Sequence, residues 1–204
     1  MSQDLSPPEQ FLLEEYRSAS HLTYHIDELR NKLTSFFLIF AGLGVGGLTL
    51  IVKGEARNLF EPQRLVSGLL IVIGMIGFVV IGILARLRKV QLEHFRIINN
   101  VRTHFLKDDK DLWNVVELSA ATLPMPDTLS PVKNRASGSY LWAFIIIFTN
   151  SVILVCAFYI LAVKTYFALA STSGRLISAG LVLVLLLIQD RAYFRLARPP
   201  RRTT

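Results

Sequence analysis

Between Leu65 and Ala85 the chain reads LVSGLLIVIGMIGFVVIGILA, 21 residues without one charge, closed by Arg64 on one side and Arg86 on the other. At a rise of about 1.5 Å per residue, a helix of this length crosses a hydrocarbon core about 30 Å thick. The stretch therefore decides the solvent: it is read as a transmembrane helix. Three further apolar runs extend the same reading, Leu33 to Val52, Tyr140 to Val163, and Thr172 to Ile188, the last purely apolar only from Leu176. They pair into two hairpins, 33–85 and 140–189. The predicted fold is an all-α polytopic membrane protein with four transmembrane helices and cytoplasmic helical extensions. Of the 204 residues 52% are hydrophobic, and the excess over a soluble composition lies in these four runs.

The formal net charge is +7, and its placement says more than its size. Segment 1–32, the long connection 86–139 and the tail 190–204 together hold 17 of the 22 Lys and Arg residues. The two remaining connections hold Lys53, Arg57, Arg64, Lys164 and Arg175 alone. Positive residues stay on the cytoplasmic side, so both termini and the central connection are predicted to lie there. Basicity is thus explained by topology, and no nucleic-acid partner is expected. Arg86, Arg88, Lys89 and the Arg-rich tail would also attract anionic lipid head groups. Six acidic residues and no uninterrupted apolar core in 1–32 argue against a cleaved signal peptide. The single cysteine, Cys156, falls inside the third apolar run, which excludes an internal disulfide.

Ser6-Pro7-Pro8-Glu9 has the form of a capping box with proline in the first turn, so a helix is predicted to begin near Pro7. Ala19, Leu22, Ile26, Leu29 and Leu33 then follow three–four spacing straight into the first span. One continuous helix is expected. Leu87, Val90, His94, Ile97, Val101 and Phe105 repeat the pattern beyond the second span, which predicts a second amphipathic extension, the two packing as an antiparallel pair. A short helix is predicted from Asp108 to Leu118. After it, Pro124, Pro126, Pro131 and Ser137-Gly138-Ser139 predict irregular chain up to Tyr140-Leu141-Trp142, read as aromatic anchors at the membrane interface. Arg191 to Arg198 can continue the fourth helix until Pro199.

Gly42-Leu43-Gly44-Val45-Gly46-Gly47 has the look of a phosphate-binding loop, but it lies inside an apolar run rather than between strand and helix. In a membrane helix such glycines let another backbone approach, and Gly42 with Gly46 forms a GxxxG pair. Gly42, Gly46, Gly47, Gly74 and Gly77 are accordingly predicted to serve helix packing or oligomerisation, with Asn150 as a hydrogen-bonding residue between helices. His21 and His25, four residues apart, share a helix face with Glu28, which makes three potential metal ligands. No second cluster in the chain completes a site, so no metal and no cofactor is expected, and the histidines are read as residues of a helix interface. No acid or base lies at the middle of any span, which argues against an ion-coupled carrier. No nucleophile–base constellation points to an enzyme.

The segment Phe95-Arg96-Ile97-Ile98-Asn99-Asn100-Val101-Arg102-Thr103-His104-Phe105 resembles the R-x-x-N-x-x-R-x-x-F pattern of a group of small four-pass bacterial membrane proteins. Tyr16 to Phe37, running through Arg30 and Lys32 into the first span, is similar to the same group. That resemblance implies topology and a bacterial plasma membrane, and it brings no activity with it. Arg96, Asn99 and Arg102 stand out as candidates for a cytoplasmic polar contact with the proline-containing connection or a neighbour. The expected function is a non-enzymatic membrane scaffold or accessory subunit that forms homo-oligomers or meets another membrane protein. A homo-oligomeric pore or membrane-perturbing effector is the alternative, and a metal-dependent enzyme on His21, His25 and Glu28 the third reading.

Overall fold

A computed structural model describes residues 6–53, 62–106, 138–163 and 172–198 of the chain. All regular structure among them is helical: α1 (Pro7–Lys53), α2 (Pro62–Leu106), α3 (Gly138–Val163) and α4 (Thr172–Ala197). The helix predicted over 108–118, the proline-containing connection after it and residues 199–204 lie outside the described residues.

The start of α1 is built by its capping box. The Ser6 N–H and hydroxyl both donate to Glu9 Oε2, at 2.8 and 2.7 Å, and Gln10 N–H closes the first turn onto the Ser6 carbonyl at 3.0 Å. From there α1 runs unbroken for 47 residues, about 70 Å. The absence of proline and glycine between Ala19 and Ala41 lets the amphipathic segment and the apolar run form one rod. Its buried seam, Ala19, Ile26, Arg30, Thr34, Phe37 and Ala41, keeps three–four spacing. The opposite line of the helix is exposed as far as Gly46.

α2 is the organising element, antiparallel to α1 along one side and to α3 along another. Gly44 on α1 meets the Ile73 side chain, while further along Gln91 bonds to Arg30. On the α3 side Gly74 meets Leu154 and Gly77 meets Asn150. A Cβ at either position would overlap those side chains, so the two glycines set how closely α2 and α3 approach. Phe37, Ile73, Leu84, Ile146 and Ile147 fill the dry centre where α1, α2 and α3 converge.

α3 and α4 are antiparallel and each 26 residues, so the α1–α2 pair projects well past the point where α3 begins. Gly138 and Ser139 form the first turn of α3, two residues earlier than the sequence pattern predicts. α4 continues as one helix to Ala197, so residues 190–197 are its last two turns. Its buried residues, Gln189, Asp190, Tyr193 and Ala197, all belong to that end, and Leu183, Val184, Leu187 and Ile188 are exposed. Among the described residues three helical segments are long and apolar enough to cross a membrane, Arg64–His104, Tyr140–Leu161 and Leu176–Ala197. A multi-pass, all-helical membrane architecture follows.

Candidate functional site

Where α4 ends and α3 begins, all four helices bring polar groups to one level of the bundle. Asp27 and Arg30 lie one turn apart on α1, as do Arg88 and Gln91 on α2. Arg30 donates to Asp27 Oδ1 within its own helix and to Gln91 Oε1 across the seam at 2.9 Å. Arg88 donates to the same Gln91 oxygen at 3.0 Å, and Gln91 Nε2 donates to Asp27 Oδ1 at 3.1 Å. These partners fix the amide orientation of Gln91: its oxygen faces two guanidiniums and its nitrogen faces the carboxylate. Arg30, Arg88 and Gln91 are all buried, while half of the Asp27 side chain reaches solvent.

Two buried cations this close repel, and burial of each costs several kcal/mol without compensating charge. Compensation comes from Asp27, whose carboxylate acts on both Arg30 and Arg88. On the other side, Tyr193 of α4 lies within electrostatic reach of Arg88, Arg30 and Asp190. Asp190 is itself buried and accepts a 2.7 Å hydrogen bond from the Tyr140 hydroxyl of α3. Two arginines and two aspartates thus meet at this level of the bundle, with Gln91, Tyr140 and Tyr193 among them. The Tyr140 ring also stacks on Phe194 at 5.2 Å and meets Tyr193 at 6.1 Å. Tyr140 is thus turned inward instead of serving as the interfacial anchor that the Tyr140-Leu141-Trp142 run suggested; Leu141 and Trp142 are the exposed pair.

A second polar cluster lies higher between α3 and α4. Asn150 Nδ2 donates to Gln189 Oε1 at 3.1 Å, Gln189 Nε2 to Ser151 Oγ at 3.0 Å, and the Ser151 hydroxyl to the Ile147 carbonyl at 2.8 Å. All three side chains are almost fully buried, and Gly77 leaves the space that Asn150 occupies. The bonds bridge α3 and α4, which the Tyr140–Asp190 bond also joins, and this is how amides hold membrane helices together.

The other residues singled out from the sequence fall into two groups. Gly74 and Gly77 are consumed by packing within the chain, whereas a Cβ on Gly42, Gly46 or Gly47 would meet no atom within 4 Å. Arg102 donates to the Tyr16 hydroxyl of α1 at 3.2 Å and lies over its ring, Asn99 is buried, and Arg96 is partly buried. The stripe of α2 beyond Arg88 thus turns toward α1. His21 and His25 are exposed on α1, His25 Nδ1 standing 3.7 Å from Glu28 Oε2 and Lys32 Nζ 2.6 Å from Glu28 Oε1. Lys32, more than His25, holds the Glu28 carboxyl below its usual range. Among the described residues no three His, Cys, Asp or Glu side chains of one chain converge as a metal site. Sequence reading found Asn150 because an amide is conspicuous in an apolar run. It missed Arg30, Arg88 and Gln91, whose composition is that of any solvated membrane flank.

The fold and these two clusters define an all-helical multi-pass membrane protein whose polar residues bind helix to helix. No family model, no curated protein and no solved structure matches the chain.

Proposed function

We propose that the chain is a four-pass protein of the bacterial inner membrane, both termini cytoplasmic, acting as a non-enzymatic scaffold or accessory subunit that self-associates through α1. The distribution of Lys and Arg supports this orientation, and Leu33 to Val52 of α1 supplies the fourth span. The polar network at Arg30 and Arg88 then lies at head-group depth, where it couples the spans to the projecting α1–α2 pair.

One observation carries the reading. Gly74 and Gly77 are used up between α2 and α3, but Gly42 and Gly46 leave an open approach on the outward face of α1, flanked by exposed Phe36, Ile39 and Leu43. Small residues four apart are what close backbone contact between membrane helices requires. Because a Cβ at these positions meets no atom within 4 Å, Gly42→Leu and Gly46→Leu are expected to leave the monomer fold intact. Native mass measurement in nanodiscs tests the proposal: the parent protein is a dimer or higher oligomer, and either substitution shifts it toward monomer. A parent protein that is monomeric at every concentration overturns it.

A further inference from the structure

We infer that the groove between the start of α3 and the end of α4 holds one phospholipid with a primary ammonium head group, in preference to an anionic lipid. The inference rests on the membrane architecture alone and is independent of self-association. The groove has a volume of about 380 Å³ and is lined by Tyr140, Leu141 and Phe144 of α3 and by Leu186, Leu187 and Asp190 of α4. That volume falls within the range of about 300–1,000 Å³ in which small ligands are held. Leu141 and Leu187 are exposed, so the groove opens on the outer surface of the bundle, toward lipid. Its two ends differ. Phe144 and Leu186 close the apolar end, whereas Asp190, bonded to Tyr140, lies two residues past Ile188, where the apolar run of α4 stops.

The occupant that fits is apolar along Leu141, Phe144, Leu186 and Leu187 and cationic at Asp190. A carboxylate offers about four acceptor positions, so Asp190 can serve an ammonium group while it accepts the 2.7 Å bond from Tyr140. The Tyr140 and Phe144 rings, 6.0 Å apart, belong to the same wall, and aromatic faces attract cations. Arg191 is exposed and stands four residues beyond Leu187, on the same side of α4, where it can meet the phosphate of the same lipid. One head group thus finds both partners at one depth. A lipid whose only head-group charge is its phosphate brings a second anion against a carboxylate already 3% exposed, which low dielectric makes unfavourable. The basic flanks draw anionic lipids to the surface of the protein, and the groove selects against them.

The test titrates the full chain, stripped of lipid in detergent, with dioleoyl phosphatidylethanolamine or dioleoyl phosphatidylglycerol near neutral pH, and native mass spectrometry counts the lipid retained. The expected result is one phosphatidylethanolamine per chain, retained about fivefold more tightly than phosphatidylglycerol. Asp190→Asn keeps an acceptor for Tyr140 but removes the charge, and it abolishes the preference. Leu187→Trp fills the groove from its exposed side and lowers phosphatidylethanolamine retention with the thermal midpoint unchanged, which decides the matter if Asp190→Asn does not fold. Equal retention of the two lipids, a preference for phosphatidylglycerol, or a folded variant that retains phosphatidylethanolamine as the parent does overturns the site. None of these outcomes bears on self-association.

Discussion

Gln91 carries more of the structure than its composition suggests, because its one amide serves two guanidiniums and a carboxylate. Gln91→Leu removes the shared acceptor and leaves buried charge under-satisfied, a loss of about 3 kcal/mol. Thermal unfolding in detergent micelles, followed by circular dichroism, measures it. Gln91→Glu keeps both arginine bonds and sets a carboxylate against Asp27, so it recovers part of the loss. Gly77 is the other decisive residue. Gly77→Ala forces a methyl onto Asn150 and costs about 1–3 kcal/mol, and the penalty shrinks when Asn150→Ala is present, because the two changes share one space. A double-mutant cycle that comes out additive would remove the proposed contact. Of these residues the sequence discloses Asn150 and Gly77, since a polar or small residue is conspicuous among Ile and Val. Gln91 and Arg88 are invisible to periodicity, since only the meeting of α1, α2 and α4 turns a basic flank into an interior.

At the scale of the helix, local rules are most legible at the start of α1. Ser6 and Glu9 form the predicted capping box, and the two Ser6 hydrogen bonds hold the Glu9 carboxyl below its ordinary value of 4.5. A carboxyl depressed in the folded state lends stability that is fully present above its unfolded value and disappears as pH falls through the folded one. The first turn of α1 therefore frays below about pH 4.5 while the rest of the helix holds. Amide hydrogen exchange at Glu9 and Gln10 reads this out, and Ser6→Ala flattens the pH dependence. The continuity of α1 was equally readable, since no proline or glycine interrupts its stripe before Gly42. The far end of α4 was harder to read: Asp190 and Arg191 look like a membrane boundary, yet Tyr140 and the tyrosine–phenylalanine pair 193–194 draw the helix inward.

On the scale of the whole molecule, hydropathy foretells the rods, but it does not say which rod is central. α2 takes that place because its small residues face α3 and its Arg and Gln face α1. In a Cys156→Ser background, Ser6→Cys and Arg198→Cys are expected to label with a membrane-impermeant maleimide only after the cytoplasmic face is opened. Labelling of just one of them in intact cells would break the four-pass arrangement. The same rod has a mechanical consequence. Between Ile83 and Leu106 α2 contains neither glycine nor proline, so nothing along that length can flex as a joint. A bilayer that thins or thickens makes its helices lean, and a lean of roughly 10° acting through a lever about 30 Å long swings the Leu106 tip by roughly 5 Å.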